Sequence, residues 1–80
     1  MKIWITKDVH GIYIWSKRPF LINRLMGFAA GGGLLFCGLK GTPDDILGQI
    51  MNIDQWPQKL GDILEWDTDR QTGWIWNEWD

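Results

Sequence analysis

The chain has 80 residues, a net charge of −2, seven tryptophans and a single cysteine. This length allows one domain, residues 1–80, and leaves little room for the cleft that an enzyme needs. One cysteine cannot form an intramolecular disulfide, and the first residues hold no apolar run of signal-peptide length. We therefore expect a cytoplasmic protein.

Groups that could carry out chemistry are scarce. The chain has one histidine, His10, one cysteine, Cys37, and one serine, Ser16, and their positions suggest no nucleophile paired with a base. One His and one Cys cannot supply a four-ligand zinc site. We expect His10 to be a solvated turn residue and Cys37 to be a buried, inert thiol. The sequence thus predicts a protein that is not an enzyme, with no metal and no cofactor.

Residues 20–39 are mostly apolar and have the length of a membrane span. They contain Asn23, Arg24 and five glycines, and an arginine at the centre of a span costs about 2.5–3.5 kcal/mol. We therefore expect no transmembrane helix and no membrane partner.

Charge is distributed unevenly along the chain. Residues 1–42 contain six basic residues and one acidic residue, a net charge of +5, whereas residues 43–80 contain two basic and nine acidic residues, a net charge of −7. Five of the seven tryptophans lie in the acidic half. Two interpretations stay open: the halves pack against each other, or the acidic half presents a face to a basic partner.

The first predicted element is a hairpin, because the β-branched and aromatic runs KIWIT and IYIWS flank the turn-forming segment KDVHG. We predict a register in which Thr6 lies opposite Gly11. Aliphatic and aromatic side chains then separate onto opposite faces. The aliphatic face carries Ile3, Ile5, Ile12 and Ile14, and the aromatic face carries Trp4, Tyr13 and Trp15 with Lys2.

Residues 20–30 are open to two interpretations. Apolar residues recur there at the spacing of a helical stripe, between Pro19 and a run of three glycines, and this predicts a helix. An irregular loop is the alternative. The run LLFCGLK at 34–40 follows, and it predicts a buried strand because it is short and continuously apolar.

Residues 43–52 give the clearest helix signal. Thr42 is a capping residue, Pro43 suits the first helical position, and Asp44 and Asp45 suit the positive end of the helix dipole. We therefore assign the two aspartates to the helix start and not to catalysis. The predicted apolar stripe consists of Ile46, Leu47, Ile50 and Met51.

The run ILEWDTDRQTGWIWNEW predicts a second hairpin. Trp4, Thr6 and Gly11 of the first hairpin recur at identical spacing as Trp66, Thr68 and Gly73, and this sets a predicted register with Thr68 opposite Gly73. One face then carries Leu64, Trp66, Ile75 and Trp79, and the other carries Glu65, Asp67, Trp74, Trp76 and Glu78. Together the elements predict an α+β fold, with a mostly antiparallel sheet of four to five strands and one or two short helices.

The second face of this hairpin combines tryptophans with carboxylates. Tryptophan is enriched at the centres of protein interfaces, and burying the carboxylates without partners would be costly. We predict a partner-binding site formed by Trp74, Trp76, Glu65, Asp67 and Glu78, with a partner that has a basic surface. A homo-oligomer formed through the same face is an open alternative.

Two other uses of exposed tryptophan stay open. Single-stranded nucleic acid could stack on the basic hairpin, although the acidic overall charge weighs against this. That surface would consist of Trp4, Tyr13, Trp15, Lys2, Lys17 and Arg18. Sugar binding by tryptophan rings and carboxylates is the other alternative.

The opening MKIWITKDVHGIYIWSKRP, followed by a Gly-rich strand and an acidic Trp-rich end, resembles small phage- and prophage-encoded proteins. These often begin with a hairpin of the pattern MKI-aromatic-I, Gly, aromatic, Lys-Pro, and the resemblance covers about the first quarter of the chain. Such proteins often bind and disable a host enzyme, as anti-CRISPR and anti-restriction proteins do. The resemblance implies an inhibitor of a host defence or nucleic-acid-handling protein in a bacterial cell. The apolar insert FLINRLMGFAAGGG departs from the pattern.

Overall fold

The computed structural model describes residues 1–31, 34–37 and 44–79, which form a mostly β fold with one short helix. The elements are β1 (Lys2–Asp8), β2 (Gly11–Trp15), β3 (Phe20–Asn23), β4 (Gly27–Ala29), β5 (Leu34–Cys37), α1 (Asp44–Ile50), β6 (Asp62–Asp67) and β7 (Thr72–Asn77). Five strands form one antiparallel sheet in the order β5-β2-β1-β6-β7, and β3 pairs with β4 in a separate two-stranded sheet. The prediction of a mostly antiparallel α+β fold is confirmed in this general form.

The central strand β1 joins the two electrically different halves of the chain. It pairs with β2 on one side and with β6 on the other, so that Trp4 lies opposite Glu65 and Lys2 lies opposite Asp67. The basic and acidic halves therefore meet edge to edge within one sheet. Each side of the sheet therefore carries side chains from both halves of the chain.

The predicted register of the first hairpin is wrong by two residues. Asp8, and not Thr6, lies opposite Gly11, so that Val9 and His10 alone form the turn. The Asp8 carboxylate accepts a hydrogen bond from the backbone N–H of His10 at 2.8 Å, which stabilises this tight turn. Because side chains alternate with a period of two, the shift leaves the predicted faces unchanged.

The second hairpin is shifted by two residues in the opposite direction. Trp66 lies opposite Gly73, and the chain turns through residues 68–71. Asp67 stabilises this turn, because its carboxylate accepts hydrogen bonds from the N–H groups of Asp69 and Arg70 at 3.0 and 3.2 Å. The repeated Trp, Thr and Gly spacing therefore does not determine the register of either hairpin, although again the faces are preserved.

The aliphatic face of the sheet forms the main core, and α1 packs on it as predicted. Ile3, Ile5 and Ile14 are fully buried there, and Ile50 of α1 contacts the same cluster. Trp66 is also buried in this core, which confirms its predicted position. Met51 does not belong to the stripe: it is 78% exposed because α1 ends at Ile50.

Residues 20–29 form the hairpin of β3 and β4, so both the predicted helix and the alternative loop are wrong for residues 20–30. Leu21 lies opposite Phe28, and both pack against Trp15 on the side of the sheet that faces away from α1. The Asn23 side chain accepts a hydrogen bond from the N–H of Met26 at 2.7 Å and thereby closes the turn. Leu21 and Phe28 thus pack across the two strands of a hairpin, where the sequence pattern predicted the apolar stripe of a helix.

The remaining predicted elements are described in part. β5 pairs with β2 through Leu34–Cys37, while residues 38–40 of the predicted strand lie outside the described residues. Thr42 and Pro43, the predicted cap, lie outside them as well; Asp44 and Asp45 occupy the first turn of α1 and are exposed. Within the described ranges, no helix is long and apolar enough to cross a membrane.

Gly27 provides a test of how the small hairpin docks. Its φ of +83° belongs to the left-handed region, and a Cβ there would overlap the Asp8 carboxylate. We expect Gly27→Ala to lower the free energy of unfolding by more than about 1 kcal/mol, because it adds backbone strain to a steric clash. Gly48→Ala is the matched control, since Gly48 lies in α1 with open space around it. That control should stabilise the protein by about 0.5–1 kcal/mol in urea unfolding. Equal effects of the two changes would contradict this docking.

Candidate functional site

Three adjacent strands bring the predicted partner-binding residues onto one side of the sheet. We call this surface the tryptophan face, and it comprises Trp4 of β1, Glu65 and Asp67 of β6, and Trp74 and Trp76 of β7. Glu65 lies at its centre, because it is directly opposite Trp4 on one side and Trp74 on the other. Four of the five predicted residues, Glu65, Asp67, Trp74 and Trp76, therefore lie on paired strands of the sheet. The fifth, Glu78, follows β7 and accepts a hydrogen bond from Trp76 Nε1.

The carboxylate of Glu65 holds two tryptophan side chains at once. Its Oε1 accepts a hydrogen bond from Trp4 Nε1 at 3.0 Å, and its Oε2 accepts one from Trp74 Nε1 at 3.1 Å. Both oxygens of a partly buried carboxylate therefore have donors, which offsets the cost of removing it from water. The two indole rings gain a fixed orientation in return.

Trp74 and Trp76 form a stacked pair, with ring centroids 4.4 Å apart and an interplanar angle of 27°. Trp76 is half-buried against the cluster of Trp15, Phe28 and Ile63, and its Nε1 donates a 2.8 Å hydrogen bond to Glu78. Trp74 is 55% exposed. Trp76 therefore packs against the cluster, and Trp74 is the more exposed ring of the pair.

The charges around this face are of both signs. A recess of about 190 Å³ beside Trp74 is lined by Lys2 and Arg70 as well as by Glu65 and Asp67. The Arg18 guanidinium lies over the Trp76 ring, 5.1 Å from its centroid. The face is therefore a mixed one, in which carboxylates hold the rings and basic side chains line the margin.

The surface predicted for nucleic acid belongs to the same side of the same sheet. Trp15 is buried and donates its Nε1–H to Thr6 at 2.9 Å, so it cannot stack on a base. Tyr13 and Trp4 are half-buried, and Tyr13 tilts against Trp15 with ring centroids 6.2 Å apart. Lys2, Lys17 and Arg18 are exposed. The β3–β4 hairpin covers this end of the face and leaves little aromatic surface for bases.

Several contacts were not predictable from local sequence patterns. Arg24 donates a 2.8 Å hydrogen bond to the carbonyl of Trp79, and its guanidinium lies 5.2 Å from the centroid of that ring. Trp79, predicted to lie in the core, is half-buried between Arg24 and Gly61. Arg24 and Trp79 are separated by 55 positions in the sequence. Only the docking of the β3–β4 hairpin brings them together.

Two aspartates at the ends of β6 have lowered pKa values. Burial alone would raise the pKa of Asp62, but hydrogen bonds from the Asn77 side chain and from two backbone N–H groups outweigh it. Those two N–H groups belong to Gln58 and Lys59. For Asp67, the backbone N–H of Arg70 is the largest cause of the lowered pKa. Both carboxylates therefore stay ionised in the folded protein at neutral pH.

The expected chemistry-bearing groups lie apart from the tryptophan face. His10 is exposed in the β1–β2 turn as predicted, with its Nε2 3.0 Å from the Leu25 carbonyl oxygen. The side chain of Cys37 lies outside what the structure describes. Among the described side chains, no three His, Cys, Asp or Glu residues gather in a way that could hold a metal ion.

Comparison with known proteins gave no relative. No family model matches the chain, and neither the curated proteins nor the solved structures contain a match to it.

Acid should weaken the fold through Asp62. Its folded-state pKa lies below the ordinary value of 3.8, so its contribution to stability is complete above that pH and is lost as the pH falls through the folded-state pKa. We expect the difference in unfolding free energy between the protein and Asp62→Asn to shrink as the pH falls below about 4. Urea titrations at a series of pH values measure this difference, and a constant difference would contradict the assignment.

Glu65→Gln should loosen the tryptophan face. One oxygen remains an acceptor, but the new amide presents N–H groups to the second indole N–H. We expect a stability loss of about 1.5–3 kcal/mol and increased iodide quenching of tryptophan fluorescence. Glu78→Gln is the matched control, because Glu78 is exposed and accepts the N–H of Trp76 alone among the described tryptophans. If both variants behave alike, Glu65 has no special role.

Proposed function

We propose that the chain is a small non-catalytic protein-binding module that uses Trp74 as its anchor. The observation that carries this proposal is the combination of exposure and rigidity at one ring. Trp74 is 55% exposed, yet it is stacked on Trp76 and hydrogen-bonded to Glu65. A large apolar side chain held in water in a fixed orientation loses little entropy on binding.

The chemistry of the face suggests a basic partner. Glu65 and Asp67 supply negative charge beside the exposed ring of Trp74, in a recess that Lys2 and Arg70 also line. Cations are attracted to the face of an indole. Among the described residues, Arg18 makes this contact over Trp76 and Arg24 makes it over Trp79. We therefore propose that the partner places an arginine or lysine side chain over Trp74, next to the two carboxylates.

Within this class, we propose an inhibitor encoded by a phage or prophage that acts on a defence or nucleic-acid-handling protein of its bacterial host. Two points support this role. The first quarter of the chain resembles small phage proteins of that kind. In addition, a partner that handles nucleic acid has a basic surface, which suits the carboxylates of the tryptophan face. Cytoplasmic action follows from the same proposal.

The direct test is the loss of one side chain. Trp74→Ala should leave the fold intact, because the ring is more exposed than buried, and should remove most of the affinity. Anchor residues cost at least about 2 kcal/mol when truncated, which is roughly a 30-fold weaker Kd. Proteins captured from a bacterial lysate by the immobilised chain would be identified, purified and titrated against both forms.

The matched control is Phe20→Ala, which removes an aromatic ring of similar exposure, 58%, from the β3–β4 hairpin. It should bind the captured partner with unchanged affinity. A partner that is lost equally with both variants, or with neither, would show that the tryptophan face is not the binding site. Trp76→Ala is a poorer choice because that half-buried ring also supports the hairpin.

A further inference from the structure

The outer side of the β3–β4 hairpin is an exposed apolar surface. Four large side chains of this hairpin are exposed, with exposed fractions of 58% for Phe20, 45% for Ile22, 80% for Leu25 and 60% for Met26. Met26 also lines a recess with Tyr13 and Phe28. Four such residues within seven positions form a concentrated patch rather than the scattered apolar residues common on protein surfaces. We call these four side chains the hairpin patch.

The strand register explains why the hairpin patch faces outward. Leu21 and Phe28 are opposite each other and point inward, where they pack with Trp15 and Ile63. Phe20 precedes Leu21 along β3 and therefore points to the other side. Ile22 lies where the strand register shifts, and it is exposed. Leu25 and Met26 occupy the turn at the tip. The hairpin is apolar on both sides, although its inner side alone is needed for packing.

The chain segments on either side of the hairpin patch are basic, while the Asp8 carboxylate lies against Gly27 and Phe28 on the inner side of the hairpin. Residues 9–43 contain no aspartate or glutamate. Lys17 and Arg18 lie just before β3, and Arg24 lies in the turn beside Leu25; all three residues are exposed. Arg18 also lies over Trp76, and Arg24 also donates to the Trp79 carbonyl. The patch therefore combines an apolar tip with positive charge at the tip and at the base of the hairpin.

We propose that the hairpin patch binds the surface of an anionic lipid bilayer. Apolar side chains that enter the headgroup region gain burial, and basic residues beside them gain attraction to anionic headgroups. A nucleic acid would match the charge but would offer little to the exposed apolar tip. The patch matches a bilayer, which has anionic headgroups at its surface and an apolar interior.

This proposal revises the expectation of no membrane partner, which considered a spanning helix. Contact at the bilayer surface requires no such helix. It is also independent of the proposed protein binding through Trp74, because the hairpin patch and the tryptophan face share no side chain.

Vesicle co-sedimentation tests the proposal. The protein should bind vesicles that contain phosphatidylglycerol mixed with phosphatidylcholine, bind pure phosphatidylcholine vesicles more weakly, and dissociate as salt is added. The double variant Leu25→Ser with Met26→Ser should bind the anionic vesicles at least about tenfold more weakly. Lys17→Glu should weaken binding about tenfold as well, since it reverses one charge near the surface.

Met51→Ser is the matched control, because Met51 is 78% exposed and lies just after α1, on the other side of the sheet from the β3–β4 hairpin. It should bind the vesicles as the unmodified protein does. Near-ultraviolet circular dichroism should show that all variants keep the native environment of their tryptophans. The proposal is overturned if the protein does not bind anionic vesicles, if it binds both vesicle types equally, or if the double variant binds without loss. A dimer in sedimentation that the double variant abolishes, without vesicle binding, would instead assign the patch to a second copy of the chain.

Discussion

The pairing of β1 with β6 is the contact on which the rest of the structure depends. It brings residues 2–6 against residues 63–67, across most of the length of the chain. Ile3 and Ile5 reach the core beside Leu64 and Trp66 only because of this pairing. Such a contact closes a long loop before any burial is gained, and the core must offset that entropy. Without it, each hairpin would have one apolar face exposed to water, and an isolated hairpin is marginally stable at best.

The same pairing creates the tryptophan face. Trp4 comes from the first strand of the chain and Trp74 from the last, and Glu65 between them accepts both indole N–H groups. A carboxylate between two aromatic rings would be costly to bury alone, whereas here each oxygen has a donor. The basic and acidic halves are thus complementary within one sheet, and their union still leaves Trp74 exposed. The two interpretations of the charge asymmetry are therefore compatible with each other.

Sequence patterns predicted the faces of the strands well and their registers poorly. The alternation of Ile3, Trp4 and Ile5 fixes which side chains share a face, because the period of a strand is two whatever its partner. Register depends instead on turn geometry, and the Asp8 and Asp67 side chains set it by accepting N–H groups within their own turns. Repeated Trp and Gly positions carry no such information. A shift by two residues leaves each side chain on the same face of the sheet. The residues predicted to share the tryptophan face therefore do so although both predicted registers were wrong.

The helix prediction for residues 20–30 was wrong for a different reason. Their apolar spacing fits a helix, but the β3–β4 hairpin, which packs on Trp15, buries some of the same side chains and exposes the others. Leu21 and Phe28 are buried by tertiary contact, which local periodicity cannot anticipate. A helix would have buried these apolar side chains as one stripe. The hairpin instead divides them between two sides, and those on the outer side are exposed. The apolar patch is thus a direct consequence of hairpin formation in this segment, and the basic residues Lys17 and Arg18 precede it in the chain.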